Sequence, residues 1–257
     1  ATVCFPTLGG SGRMAALLAH AMAERGHDID VVAAGRPVAL PEGTKARFHH
    51  INVPTYPALP HPPYDFSLTS ALIDLQEDRP FDVIHAHYAV PHAAVAFAAR
   101  AAASGRAPAV VTTLHGTDVT RIGRDPQHRS ATRFFVRASD AVTTPSRALA
   151  EEARRRLDLP AEVDIEVVSN FVDPGVFHPA PERSSRPFDR YFRSSQAGRP
   201  TVLHVSNLRP VKRVRDALEA FARAHTGLRL PRLMIVGDGP ERARLEHVLP
   251  VVHVEHR

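Results

Sequence analysis

Short β-branched apolar runs alternate along this chain with longer alanine- and leucine-rich stretches of helical period. Residues 2–5 read as a strand. Met14, Leu17, Leu18, Ala21 and Met22 then recur at the spacing of one helix face, and Gly26 sits where a helix C-terminal glycine belongs. Residues 29–33 form the next strand, so the chain opens as a βαβ unit, whose natural product is a parallel sheet. The alternation goes on to predict strands over 82–85, 109–114, 141–144 and 165–168, and helices over 93–103, 129–138 and 146–157, the last with Ser146 as N-cap. A second pattern begins with a strand over 201–205. It continues with a helix over 213–224 carrying apolar Val214, Ala217, Leu218 and Phe221, and a strand over 233–236. A turn over 237–241 follows, with Pro240 near the first position of a helix that runs to about 248.

These elements predict an α/β protein of two Rossmann-like domains. The first covers 1–172. A connection over 173–200, carrying Pro174, Pro179, Pro181, Pro187 and Pro200 among many Arg and Ser, leads to the second over 201–257. That last stretch is short for an α/β domain of ~100 residues or more, so the second domain is expected to be incomplete. The chain also begins without Met inside an apolar run, and a few leading residues are expected to be missing.

Charge and composition narrow the function classes. The net charge is +5 and the pI about 10.0, which invites anionic partners. The basic residues are scattered, however, and the one dense run, Arg154-Arg155-Arg156, follows Glu151 and Glu152 as a solvated helix face would. With no Trp and 6% aromatic residues the chain lacks stacking platforms for nucleic acid, so no nucleic-acid partner is expected. No apolar run approaches the ~18 residues of a membrane span, and the first residues do not read as a signal peptide. Cys4 is the only cysteine, which excludes an intrachain disulfide and fits a cytoplasmic location.

In an open parallel sheet ligands bind beyond the carboxyl ends of the strands. Small and polar residues recur at each such position: Gly9-Gly10-Ser11-Gly12, His87-Tyr88, His115-Gly116-Thr117-Asp118, Ser169-Asn170, Ser206-Asn207 with Lys212-Arg213, and Gly237-Asp238-Gly239. The first set either lets a phosphate approach a helix N-terminus or serves a tight turn that needs positive φ. It is not a G-x-G-x-x-G fingerprint, and no acidic residue follows the second strand, so a dinucleotide site of the NAD type is disfavoured. His115 could bond a substrate, while Thr117 and Asp118 read more simply as caps. His85 and His87, with His92 nearby, have metal-like spacing, but no Cys and no His-Glu-x-x-His pattern completes a site, and no metal is expected. Lys212 and Arg213 stand at a helix start, where the dipole disfavours cations. A bound diphosphate would remove that conflict, a reading preferred over an exposed basic turn.

Several segments together resemble the retaining family-4 glycosyltransferases of the GT-B fold. They are Pro6-Thr7-Leu8-Gly9-Gly10-Ser11-Gly12, Pro62-Pro63-Tyr64-Asp65, His85-Ala86-His87-Tyr88-Ala89-Val90-Pro91-His92, Thr112-Thr113-Leu114-His115-Gly116-Thr117-Asp118, Ser169-Asn170-Phe171-Val172-Asp173, His204 through Arg213, and Val236-Gly237-Asp238-Gly239-Pro240-Glu241. The His-Tyr-Ala-x-Pro-His and Leu-His-Gly-Thr-Asp segments are similar to a branch serving bacillithiol biosynthesis. The resemblance implies two Rossmann-like domains facing a cleft. It implies transfer of N-acetylglucosamine from UDP-N-acetylglucosamine to the hydroxyl of L-malate, with retention and with no cofactor or metal. Gly10, Ser11 and Gly12 would approach the UDP diphosphate and the acceptor. Lys212 would neutralise the departing diphosphate, helped by Arg213, since Asn207 stands where many relatives carry arginine. His115 would contact the transferred sugar near its 6-hydroxyl. Tyr88, Thr117, Arg129 and Asn170 are the acceptor-side candidates, Arg129 suiting a carboxylate. No protein nucleophile is required, because the departing phosphate oxygen would take the acceptor's proton and catalysis would be positioning and charge stabilisation.

One departure limits the resemblance. Relatives carry two glutamates seven residues apart later in the second domain, and Glu241, Glu246 and Glu255 do not make that spacing. This chain by itself is therefore expected to be weakly active or inactive. A non-catalytic remnant that binds malate or a nucleotide, and a family-4 transferase with another acceptor, stay open beside the main reading. The partners expected are a UDP-sugar and L-malate, with a second copy of the chain as a further candidate.

Overall fold

Strand-length runs of valine, alanine and threonine become the buried centre of a parallel sheet. The computed structural model describes residues 1–6, 9–59, 61–178, 200–223 and 232–248. They fall into two units, Ala1–Asp173 and Pro174–Arg257.

The first unit holds seven strands: β1 (Thr2–Val3), β2 (Asp30–Ala33), β3 (Arg47–His50), β4 (Val83–His87), β5 (Ala109–Thr113), β6 (Ala141–Thr144) and β7 (Glu166–Val167). All pair in parallel, in the order β3-β2-β1-β4-β5-β6-β7. The order reverses between β1 and β4, the switch point at which such sheets open a crevice beyond their carboxyl ends. Val3, Val31, Val32, Ala33, Ile84, Ala86 and Val110 are fully buried, the near-continuous apolar pattern of strands covered on both faces.

Among its described residues this unit has six α-helices: α1 (Gly10–Glu24), α2 (Tyr64–Asp78), α3 (Ala94–Ala101), α4 (Thr117–Thr120), α5 (Pro126–Ala138) and α6 (Arg147–Arg156). The face of α1 that goes inward is its alanine face. Ala15, Ala16, Ala19 and Ala23 are buried against Val31, Leu40 and Ala46, while Met14, Leu17, Leu18, Ala21 and Met22 are only partly covered. Small side chains permit a close approach of helix to sheet, and that contact outweighs side-chain size. Gly26 ends α1 as expected, at φ 91°. Gly26 N–H bonds Ala23 O at 3.0 Å and His27 N–H bonds Met22 O at 3.2 Å, the paired bonds of a Schellman cap. Ser146 caps α6, its Oγ accepting from Leu149 N at 3.2 Å. Helix α5 begins three residues earlier than expected because Asp125 caps Gln127 N at 2.9 Å and Pro126 opens the first turn. The first strand is shorter than expected, Thr2–Val3, and the helix foreseen over 93–103 is α3, entered through a wide turn at Ala89–Ala93. Arg155 and Arg156 pair with Glu152, and Arg154 donates to Val163 O at 2.5 Å, so the arginine run is a surface helix end.

At the amino-terminal edge of the sheet, Asp30 accepts from Arg47 Nε at 3.0 Å and Nη2 at 2.9 Å, from Arg79 Nη2 at 2.9 Å, and faces His49 Nε2 at 2.6 Å. Burial pushes this carboxyl up, but the hydrogen bonds of Arg47 and His49 and the charges of Arg47 and Arg79 prevail and hold it at about 2. Cys4 is buried, and desolvation raises its thiol to about 12, an inert side chain.

In the second unit β8 (Thr201–Val205) pairs in parallel with β9 (Arg232–Val236), and α7 (Val214–Arg223) and α8 (Arg242–Val248) supply Val214, Leu218 and Leu245 to a core shared with Leu208, Leu233 and Ile235. The strand tips meet closely. Gly237, at φ 142°, lies so near Ser206 O that an added Cβ would stand 1.8 Å from it, and only glycine fits there. Most of the connection expected over 173–200 lies outside the described residues, as do 224–231 and 249–257. No helix among the described residues is long and apolar enough to cross a membrane.

Candidate functional site

The switch point brings α1's first turn beside the tips of β4 and β5. Gly9 precedes the helix at φ −65° and ψ 158°, with no side-chain cap, so the first N–H groups of α1 are left for an incoming acceptor. None of Gly9, Gly10 or Gly12 is among the positive-φ glycines, so the tight-turn explanation for this run does not hold. A Cβ added at Gly10 would meet nothing within 4 Å, whereas Gly12 is buried. Neither strain nor packing therefore accounts for glycine at position 10, and open space beside a helix N-terminus suits an anion.

Strand β4 ends in His85 and His87, and Tyr88 follows it. Tyr88 takes φ 93°, a region that a non-glycine side chain adopts only when its surroundings hold it there. What holds it is visible on both sides. Its N–H bonds Thr113 O at 3.0 Å, and its hydroxyl donates to Ser11 Oγ at 2.8 Å. The wide turn after it buries His92, whose Nδ1 bonds His87 O at 2.5 Å and whose Nε2 lies 3.0 Å from the Tyr64 hydroxyl. Phe5 packs on His92 at 4.3 Å between centroids and on Tyr88 at 5.5 Å, joining the tip of β1 to that of β4.

Strand β5 delivers His115. Its Nε2 is 2.9 Å from His87 Nδ1, and its ring lies 5.3 Å from that of Tyr88. The chain then turns at Gly116, φ 105°, into α4. The buried Asp118 carboxylate reaches back to the N–H groups of Gly116 at 2.9 Å and His115 at 3.1 Å, so the capping role foreseen for this segment falls to Asp118 and fixes the His115 backbone. Burial raises Asp118 to about 6 against those same N–H groups.

The imidazoles here are neutral. Desolvation first, then their mutual repulsion, pulls His85 to about 4 and His87 well below its ordinary value. Burial brings His92 and His115 to about 4. His85 and His87 stack at 4.4 Å, and His85 Nε2 bonds Thr113 Oγ1 at 2.7 Å. Among the described residues no group of three His, Cys, Asp or Glu is arranged to hold a metal. The His-x-His spacing instead builds a stacked, hydrogen-bonded wall.

Ser11, Tyr88 and His115 are thus brought together. Thr117 is exposed at the start of α4, two residues after His115. Arg129, on α5, forms an ion pair with Asp158 and lines a depression of about 200 Å³ with Gly123, Arg124, Arg155 and Arg156. Asn170 is exposed beyond β7. In the second unit Asn207 is exposed, and Lys212 closes a single 3-10 turn, Pro210–Lys212. Arg213 is not inside the following helix. It takes the left-handed conformation, φ 51°, just before α7, and Asp216 in the first turn of α7 pairs with it. The electrostatic conflict read at this helix start is therefore relieved for Arg213 by Asp216. Lys212 has no side-chain partner among the described residues. Of Tyr64, His92 and Phe5, which shape the wall, only His92 was weighed singly from the sequence, as a histidine near a metal-like spacing. The signal for the first two was their place in the quoted motifs, and Phe5 offered none.

Comparison with known proteins adds three findings. The sequence pattern described as Glycosyltransferase Family 4 matches residues 8–176. The N-acetyl-alpha-D-glucosaminyl L-malate synthase of Bacillus anthracis is 35% identical over 255 residues, 99% of this chain and 65% of that protein. The crystal structure of a glycosyltransferase from Rickettsia africae superposes with a TM-score of 0.71 at 15% identity, covering 99% of this chain and 66% of that one. Anabaena HepE in complex with UDP superposes with a TM-score of 0.68 at 17% identity, covering 96% and 64%. The chain therefore spans about two thirds of the length of the relatives it matches, and its fold is theirs, the GT-B type.

Proposed function

The chain belongs to glycosyltransferase family 4, and from that premise we propose that the protein transfers N-acetylglucosamine from UDP-N-acetylglucosamine to the hydroxyl of L-malate with retention at the anomeric carbon. The observation that carries this reading is the 35% identity along 99% of the chain with a protein named for that reaction. The neutral imidazole and tyrosine wall at the switch point supports it, since a sugar is held by directional neutral donors and acceptors better than by a charge. The reading places the reaction in the cytoplasm, in keeping with a lone, buried thiol.

In this reading the N–H groups of Gly10, Ser11 and Gly12 in the first turn of α1 suit an anionic group of the substrates, and Lys212, with Arg213 and Asn207 nearby in sequence, is the cationic group suited to offset charge as UDP departs. Tyr88, Thr117, Arg129 and Asn170 serve the acceptor. Tyr88 would exchange its bond to Ser11 Oγ for a carboxylate oxygen, and Arg129 would leave Asp158 for the same ligand. His115 holds the sugar while positive character develops at the anomeric carbon. The departing phosphate oxygen takes the malate proton as the new C–O bond forms on the same face, so no protein base is used and no metal is called for.

The test is incubation of the protein with UDP-N-acetylglucosamine and L-malate, following UDP release and the mass of glycosylated malate. Release that requires L-malate supports the assignment. Release with a different acceptor and none with L-malate would retain the family and overturn the acceptor.

A further inference from the structure

Among the described residues one buried side-chain polar atom has no hydrogen-bond partner, His87 Nε2. The residue is 2% exposed, and its ring is stacked on both His85 and His115, at 4.4 Å and 5.1 Å between centroids. Its other nitrogen, Nδ1, lies 2.9 Å from His115 Nε2. One of these two nitrogens carries the shared proton and the other accepts it. If His115 donated, His87 would accept at Nδ1 and carry its own hydrogen at Nε2, a buried N–H with no acceptor. If His87 donates, only a lone pair is left bare at Nε2. Orphaned N–H groups are the rarer defect in folded proteins, so the second arrangement is favoured. Neighbouring His92 shows the same logic with a fixed outcome. Its Nδ1 faces the His87 carbonyl, which can only accept, so Nδ1 holds the hydrogen and Nε2 receives the Tyr64 hydroxyl.

We propose that His87 is a positioning residue, whose Nδ1–H donates to His115 Nε2 and locks His115 as the Nδ1–H tautomer, so that His115 meets its ligand as a hydrogen-bond donor and not as a base. His115 Nδ1 makes no hydrogen bond among the described residues, and it is not among the buried unpartnered atoms, so its hydrogen is open to an incoming oxygen. The neutrality of both rings, enforced by burial, leaves each with a single N–H and makes the choice of tautomer decisive. The consequence for the site is chemical. A His115 locked in this form can stabilise an oxygen that gains negative character, but it has no free lone pair with which to take a proton from an acceptor hydroxyl. That sugar is the ligand rests on the function proposed above, while the tautomer itself does not.

The experiment separates the two. Long-range proton–nitrogen correlation spectra of the histidine-labelled protein at pH 7.5 report which ring nitrogen of each imidazole is protonated. The expected result is His115 protonated at Nδ1 and His87 at Nδ1. His87→Asn keeps an N–H donor near the position of Nδ1 and should preserve the His115 tautomer. His87→Phe removes it and should return His115 to a mixture of forms. In transfer assays His87→Phe should lower kcat by about tenfold to a hundredfold with a smaller change in KM, and His87→Asn should recover most of the loss. His115 protonated at Nε2 in the unaltered protein overturns the proposal whether or not the variants fold. So does an unchanged His115 tautomer in folded His87→Phe. Transfer to another acceptor and none to L-malate, with the expected tautomer present, contradicts the proposed reaction and leaves the His87 assignment standing.

Discussion

The two edges of the seven-stranded sheet use ionisable side chains in opposite ways. At the amino-terminal edge Asp30, Arg47 and Arg79 are charged and bonded to one another, with His49 completing the set. At the carboxyl edge His85, His87, His92 and His115 are kept neutral, one nitrogen is left without a partner, and Tyr88 and Gly116 hold positive φ. Groups that complete each other's bonds stabilise the fold and have nothing left to offer a ligand. Groups held uncharged, strained and incompletely satisfied contribute less to stability and retain bonding capacity. The candidate functional edge is marked by what it leaves undone.

Acidification should expose the contrast most strongly. Unfolded imidazoles titrate near 6.5, whereas folded His85, His92 and His115 titrate at about 4 and His87 lower still. Their folded values are depressed, so the unfolded state binds more protons between those limits. Stability is fully present above about pH 6.5 and is lost as the pH falls toward 4. Asp118, raised to about 6, opposes this in part, because it regains stability on protonation. Urea melts between pH 7.5 and 4.5 should show a net loss on the order of a few kcal/mol. The Asp30 carboxyl, held at about 2, stays ionised in the folded protein across that range and adds little to the slope. A flat profile would contradict the neutral wall.

Next in size, His115→Ala should lower kcat/KM for transfer by about a hundredfold, about 2.7 kcal/mol, with the melting temperature unchanged or higher. Asp30→Asn should do the reverse, costing about 2 kcal/mol of stability by loss of charge-assisted bonds while sparing KM and kcat. An activity loss as large as that of His115→Ala in folded Asp30→Asn protein would erase the distinction between the edges. Smallest on the fold is Gly10→Ala, within about 0.5 kcal/mol, since the added methyl meets nothing within 4 Å. Its expected effect is on UDP affinity, read by calorimetry as a loss of about tenfold.

The sheet was largely legible in the sequence because its inner strands are apolar on both faces, and that pattern survives any error in their ends. Strand β3 was not legible, since Arg47, His49 and His50 give an edge strand no apolar signature. Helix α2 was hidden for a related reason, burying only Leu68, Leu72 and Gln76, the last through a side-chain bond to Ala99 O at 2.6 Å. The periodicity of α1 was legible, but which face it buries was not, because the fit against the sheet selects alanine over the larger side chains. At the candidate site, the strand-tip rule singled out Ser11, Tyr88 and His115, which the structure brings together. It could not show that His87 supports His115, because a hydrogen bond between residues 28 apart depends on strand register. At Arg213 the charge conflict read from the sequence is met locally by Asp216, a pairing that helix spacing alone did not announce.

The most direct test uses the histidines as reporters of both edges at once. Side-chain spectra of the labelled protein would be recorded during titration with UDP and L-malate together. The account predicts that the His115 and His87 resonances move while that of His49, beside Asp30, stays fixed. Movement of His49 with the carboxyl-edge histidines unchanged would contradict it.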